Sequence, residues 1–414
     1  MSTWQNLSGS STATVKTQNL TAILFALLQN ERPSRVQMAH LTGLSATTIT
    51  NLVAGLIEQG VVVESGAVET ESRHRVGRPP TALQLVPEAR YAIGVHIGVG
   101  RIHAAVANLY AAPVHSISWN HPLDQPADAV LDEVAQLVER VIEQSGVARE
   151  RIVGVGVGAS GLVDPHTGVN VFAPNLGWHD VPIERLLRHS THLPVTVDNN
   201  VRAMTLSEAF FGAGRDVRTM ALVYARIGVG AGFVVDGQVY RGSGAGAGEI
   251  GHMTIIPEGG AACRCGNTGC LETLISEPVV VDIAHHLAEQ EPNGTLAACM
   301  REAGGTPIEC IFAAARQGDA TVQTLLESRA RYLGIALANL VNVFNPELIL
   351  LGGFLSQGLD LLLPAVESTM RQRTFANLGD LVQIKPASFG PQAGIIGAAT
   401  LALNTFFYQQ PELG

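Results

Sequence analysis

The chain has 414 residues, room for two or three domains, with 46% hydrophobic and 15% charged residues, which excludes an intrinsically disordered protein. No run of about 18 uninterrupted apolar residues occurs, excluding a membrane-spanning helix, and Met1–Lys16 is Ser/Thr-rich without a signal peptide's apolar centre, so a soluble, cytoplasmic protein is expected. The net charge of −10 argues against nucleic-acid binding by the whole surface, but residues 1–90 set seven Lys/Arg against six acids, so one end escapes the negative field of the rest.

In chain order, residues 17–30 carry apolar side chains at a spacing near 3.6 and predict a helix. Pro33-Ser34 opens a second helix that ends near Leu41, and Gly43 turns the chain. Ser45 stands as N-cap of a third helix over about 46–59, closed by Gly60. Val61–Glu64 and Ala82–Val86 predict strands flanking a polar stretch with Arg73, Arg75 and Arg78. Three helices and a two-stranded ribbon make a winged helix-turn-helix. Counting from Arg35, the fifth, ninth and fifteenth positions hold Ala39, Gly43 and Ile49. A small residue lets the two helices approach, Gly makes the turn, and the apolar side chain anchors the second helix.

The expected DNA-facing residues are then Ser45, Ala46, Thr47, Thr50 and Asn51, with Thr48 near the backbone. None is basic, so phosphate contacts fall to Arg35 and the polar stretch, and dimerisation doubles the set. Arg78, within Gly77-Arg78-Pro79, resembles an arm that enters an A·T-rich minor groove.

From about Arg90, Tyr91–Val99 and Arg101–Leu109 predict a hairpin, Asp128–Gln144 a helix, and Ile152–Val157 a strand. Leu193–Val197 predicts a strand leading into a helix over 201–211. Thr219–Ala225 and Gly232–Val235 predict a second hairpin, followed by an Asp236-Gly237 turn. Helices follow from about 277 to 340, then a strand over Glu347–Leu351 ending in Gly352-Gly353, and a helix over 393–405. Two units that each open on a hairpin and continue as alternating α/β suggest a duplicated, two-lobed body.

The segment Glu249-Ile-Gly-His252, followed by Cys263-Arg-Cys265-Gly-Asn-Thr-Gly-Cys270-Leu-Glu272, is the most specific feature of the sequence. His252, Cys263, Cys265 and Cys270 make a ligand set suited to tetrahedral structural Zn2+. On these elements the chain resembles the ROK family (repressors, open reading frames and kinases) from about residue 15 to its end. It is similar to the branch with an N-terminal winged helix-turn-helix, that of xylose, N-acetylglucosamine and glucose-type repressors.

The resemblance implies an α/β fold: a winged helix-turn-helix over residues 1–86, then a two-lobed actin-like (RNase-H-like) sugar kinase fold. The first lobe would cover 87–200, completed by a C-terminal helix at 392–414, and the second 201–391 with the zinc site. It implies a sugar in the cleft between lobes, contacted by Gly161, Asn175, Asn199, Asn200, Glu249, His252 and Glu272. One ring nitrogen of His252 would ligate zinc and the other would face the sugar.

The sequence departs from the family's kinases at three places. In Asp198-Asn199-Asn200-Val201-Arg202, Asn200 replaces the aspartate that takes the proton from the attacking hydroxyl; an amide cannot do so. The first phosphate hairpin, usually Asp-x-Gly-Gly-Thr, reads His96-Ile97-Gly98-Val99-Gly100. The second, usually Gly-Thr-Gly-x-Gly, reads Arg226-Ile227-Gly228-Val229-Gly230, with Arg226 in the phosphate space. No catalytic residue is therefore assigned. The expected protein is a repressor, a homodimer or homotetramer on operator DNA, controlled by a pentose, a hexose, an N-acetyl hexosamine or a phosphorylated sugar. The rivals are a sugar kinase with an accessory head and a zinc-stabilised interaction scaffold.

Overall fold

The computed structural model describes residues 12–67, 81–302 and 305–411. Helices α1 (Thr12–Gln29), α2 (Arg35–Thr42) and α3 (Ala46–Glu58) form the head. Ser34 caps α2 in a reciprocal box: Gln37 N donates to its hydroxyl while Ser34 N donates to the Gln37 side chain. Gly43 ends that helix at φ 69°, a conformation that disfavours any Cβ, and Ser45 caps α3 by accepting from Thr48 N. Strands β1 (Val62–Ala67) and β2 (Thr81–Leu85) pair antiparallel as the ribbon. The helix-turn-helix and ribbon thus form where the sequence predicts them, with α1 starting about a turn earlier.

The first lobe is a sheet of order β10-β6-β3-β4-β5. Its strands are β3 (Tyr91–Ile97), β4 (Arg101–Asn108), β5 (Pro113–Asn120), β6 (Ile152–Ala159) and β10 (Val195–Asn199). Helices α4 (Ala127–Ser145) and α5 (Ile183–Thr191) share a core with it. A small sheet of β7 (Leu162–Asp164), β8 (Val169–Ala173) and β9 (Trp178–Val181) projects from this lobe. The sequence reading has neither β5 nor the small sheet. On β5 the side chains alternate between half-buried and exposed, and polar residues sit among the apolar ones; the others are only three to five residues long.

Helix α6 (Asn200–Phe211) leads to the second lobe, a sheet of order β13-β12-β11-β14-β15. These strands are β11 (Thr219–Ala225), β12 (Val229–Val235), β13 (Gln238–Tyr240), β14 (Leu348–Gly353) and β15 (Gln383–Pro386). Between β13 and β14 come α7 (Glu272–Ile275), α8 (Glu277–Gln290), α9 (Thr295–Arg301), α10 (Pro307–Arg316) and α11 (Ala320–Phe344). After β14 come α12 (Phe354–Gln357), α13 (Leu359–Arg373) and α14 (Leu378–Leu381), and β15 is followed by α15 (Ala393–Leu403), which runs on into a wider π-helical turn over Asn404–Tyr408. Cys299 of α9 and Cys310 of α10 form a disulfide with Cα atoms 5.5 Å apart, a pairing the sequence reading did not anticipate.

The head sits directly on the body. Its core of Leu20, Ile23, Leu24, Ile49 and Val53 runs on into Ala105, Leu109 and Tyr408. Phe25 of α1 stacks on Tyr408 at 5.7 Å and meets Phe210, at the end of α6, edge-on at 5.4 Å. Arg215 donates to the carbonyls of Leu28 and Gln29 at the end of α1, where a cation complements the helix dipole. One end of α6 therefore abuts the head.

Candidate functional site

The other end of α6 abuts a cavity of about 270 Å³ between the lobes, near the lower size limit of small-molecule sites. All seven residues that the resemblance assigns to the sugar line this cavity: Gly161, Asn175, Asn199, Asn200, Glu249, His252 and Glu272. Several of them also hold structure. Asn199 caps α6 by accepting from Val201 N and Arg202 N, while its amide donates to Gly161 O at 2.8 Å; one N–H remains for a ligand. Gly161 has φ 102°, and a Cβ there would lie 2.6 Å from Phe172 O, so this turn admits only glycine. The Asn200 amide donates to Ser160 Oγ at 3.3 Å and its oxygen accepts from Val201 N. Arg264 orients Asn175 by donating to its Oδ1 at 2.8 Å, and Glu272 accepts from Val229 N at 2.9 Å. Glu249 is open to the cavity but surrounded by protein. Burial raises its carboxyl pKa, against the opposing pull of His252 and Arg202.

Two supports behind this wall escaped the sequence reading. Arg202 is 1% exposed; it donates to Asp198 Oδ1 at 2.6 Å, to Val163 O at 2.9 Å and to Ala245 O. Arg241 takes the second Asp198 oxygen at 3.0 Å. A single buried guanidinium thus ties the small sheet of the first lobe to the loop after β13 in the second. Its signal was a basic residue in the first turn of the helix Asn200–Phe211, whose one other charge is Glu208.

His252, Cys263, Cys265 and Cys270 bring their ligand atoms within 4.8 Å of one another. His252 Nδ1 lies 3.6 Å from Cys263 Sγ, and the Cys265 and Cys270 sulfurs are 3.8 Å apart. A tetrahedral ion with Zn–S near 2.3 Å and Zn–N near 2.0 Å needs ligand separations of about 3.5–3.8 Å, so the set fits zinc. Gly269 lets the loop close, since a Cβ there would lie 1.8 Å from Ile256 O. Burial pushes the Cys270 thiol up to about 12, whereas the Asn267 backbone N–H lowers that of Cys265.

The hairpin turns face the same cavity through His96, Gly98, Arg226 and Gly228. Burial lowers the His96 pKa to about 3, assisted by His103 and Arg226.

On the head, Thr47 and Asn51 are exposed along α3 and make no side-chain hydrogen bond among the described residues. The Ser45 hydroxyl is engaged in capping α3 and lies 2.8 Å from the Thr48 hydroxyl. Arg35 is ion-paired with Glu64 of the ribbon, so its charge is partly neutralised. Arg73, Arg75 and Arg78 lie outside the described residues.

Residues 92–405 match the model of the ROK family. The chain is 29% identical over 390 residues to the xylose repressor of Caldicellulosiruptor bescii, covering 94% of this chain and 96% of that protein. It is 34% identical over 314 residues to a glucokinase of Halalkalibacterium halodurans, covering 75% of this chain and 94% of the enzyme. A crystal structure described as a ROK family transcriptional regulator, homolog of the E. coli MLC protein, superposes with a TM-score of 0.80 at 29% identity, over 96% of this chain and 97% of that one.

Proposed function

Since this chain belongs to the ROK family, we propose that it is a sugar-responsive transcriptional repressor, a DNA-reading head governed by a sugar-binding cleft. The observation that carries this reading is where the similarities begin and end. The repressor aligns along nearly the whole chain, head included, while the glucokinase aligns with 75% of it and is itself 94% covered. The part beyond the kinase match is the helix-turn-helix.

The cleft binds the sugar without phosphorylating it. Asn200, at the position of the family's proton acceptor, is an amide whose oxygen already accepts from Val201 N. Loss of a general base lowers such rates by roughly 10²–10⁴, and the altered hairpins at His96 and Arg226 remove phosphate and metal contacts besides. Zinc would be held by His252 Nδ1, Cys263, Cys265 and Cys270, and when bound it supplies a fixed cation and no reaction step. His252 then offers its other nitrogen to a sugar hydroxyl, as ligating imidazoles commonly do to a second partner. Glu249 accepts from sugar hydroxyls, and Asn175 and Asn199 donate to them.

Helix α6 is the physical connection between the two activities. Asn200 and Val201 line the cavity, and Phe210 meets Phe25 of the head. A change in lobe closure moves α6 and re-aims the head. In a homodimer or homotetramer two heads read half-sites about one helical turn apart, so a shift of a few ångströms releases the operator. Thr47 and Asn51 are the residues best placed for base contacts. Ser45 and Thr48 hold the start of α3 against the backbone, and Arg35 and Arg78 supply phosphate or minor-groove contacts.

A mobility-shift assay on the DNA upstream of the chain's own coding sequence, paired with an ATP-dependent phosphorylation assay over a sugar panel, tests this reading. Binding of that DNA without turnover of any sugar is expected; turnover without DNA binding would replace the repressor with a kinase.

A further inference from the structure

Two arginines bracket the ribbon to the start of α2. Arg32 Nη2 donates to Ser65 O at 2.7 Å. Arg32 itself holds φ 50°, a left-handed conformation that few side chains adopt. Gly66, at φ 56°, lies against it: a Cβ there would come within 3.2 Å of the same Nη2. One residue before Ser65, Glu64 Oε1 is ion-paired with Arg35 Nη1, the two side chains 44% and 31% exposed. The register between β1 and β2 shifts between Glu64 and Ala67.

The head alone serves Arg35 poorly. It is the first residue of α2, where the helix dipole disfavours a cation and favours an anion. The first turn of α2 holds no acidic residue, and Arg35 Nε is buried with no hydrogen-bond partner among the described residues. Glu64 is the one side chain that meets its guanidinium there. Yet Arg35 is also the sole Arg or Lys of α2 and α3 together. The exposed side of α3 offers Thr47, Thr50 and Asn51, and the Thr50 hydroxyl is turned back onto Ala46 O at 2.8 Å. Attraction of a DNA phosphate to these two helices therefore falls on a guanidinium that a carboxylate already occupies.

Resting on the reading of the head as a DNA reader, we propose that Glu64 is an internal rival of DNA. In the free head its carboxylate holds Arg35; on DNA it yields the guanidinium to a backbone phosphate. Carboxylate and phosphate both match the guanidinium's fork of donors, and their like charges keep them from sharing it. Glu64 thereby loosens the hold on DNA of every sequence, and α3 is left to decide by its base contacts where the head stays.

The test is fluorescence anisotropy with the full zinc-loaded chain over a salt series. One probe is a duplex from the DNA upstream of the chain's own coding sequence, and the other is the same duplex with its sequence shuffled. Glu64→Gln should tighten both by roughly the same three- to tenfold at low salt. It should steepen the log–log salt dependence by about one per head, and leave the thermal melt nearly unchanged, since an exposed pair adds little stability. Arg35→Gln should weaken both duplexes. In the Arg35→Gln background, Glu64→Gln should gain less than in the unaltered chain, because no guanidinium is left to release. Equal gains in the two backgrounds would make Glu64 a mere bulk charge and overturn the proposal. Unchanged or weaker binding by Glu64→Gln would overturn it as well, as would tightening confined to the upstream duplex. In each of these cases the DNA-reading head stands. Binding of neither duplex, with Glu64 or with Gln in its place, would remove the repressor reading and this inference together.

Discussion

Arg202→Met replaces the buried guanidinium with an apolar side chain of similar length. It removes the hydrogen bonds to Asp198, Val163 O and Ala245 O. Asp198 stays 1% exposed and keeps Arg241 and the Asn199 N–H, at 3.0 and 2.7 Å. Breaking a buried ion pair by deleting one member costs about 3–5 kcal/mol, because the other charge remains uncompensated. Since Asp198 retains one cation, the lower end applies, about 3 kcal/mol. For a chain of this size that corresponds to a fall in Tm of roughly 3–4 °C. Urea denaturation followed by circular dichroism measures it, and Asp198→Asn combined with Arg202→Met should cost less than the two single changes together. A loss below about 1 kcal/mol, or strict additivity of the pair, would refute the view that Arg202, held by Asp198, ties Val163 of one lobe to Ala245 of the other.

Cys263→Ser should lower zinc content, read by atomic absorption, and weaken sugar binding, whereas Cys299→Ser, outside the metal set, should leave both unchanged. His96 gives a pH dependence of definite sign. Its folded pKa of about 3 lies below the ordinary 6.5, so the unfolded chain takes up a proton that the folded one refuses. Stability is therefore complete above pH 6.5 and declines as pH falls, by about 2 kcal/mol at pH 5; His96→Asn should flatten that part of a stability–pH curve. Asn200→Asp alone should show no ATP-dependent sugar phosphorylation, because the hairpins at His96 and Arg226 are unchanged. Phe210→Ala should leave sugar binding and operator binding in place while the sugar's effect on the operator shrinks.

Local chemistry was the most legible. Ser34, Gly43 and Ser45 mark helix ends through caps and a turn that depend on neighbours a few residues away, so the helix-turn-helix could be read from spacing. The three Cys within 263–270 were equally plain, and the fourth ligand, His252, lies only eleven residues before them. The cavity residues became readable only through family resemblance, since Gly161, Asn199 and Glu249 come from separate elements. Contacts across long separations stayed hidden. Nothing near Phe25 in the sequence announces Phe210 and Tyr408, and Arg202 reaches Val163 and Ala245 only after both lobes have folded. The Arg35–Glu64 pair was likewise invisible, which is why Arg35 read as a free cation.

The most direct test of the account is the fluorescence anisotropy of operator DNA titrated with the full zinc-loaded chain at fixed salt, with and without a saturating cleft ligand found by titration. Coupling through α6 predicts that the ligand weakens operator binding by roughly five- to hundredfold, and that Phe210→Ala loses this response while still binding both. A ligand that occupies the cleft and leaves operator affinity unchanged would contradict the claim that the cleft governs the head.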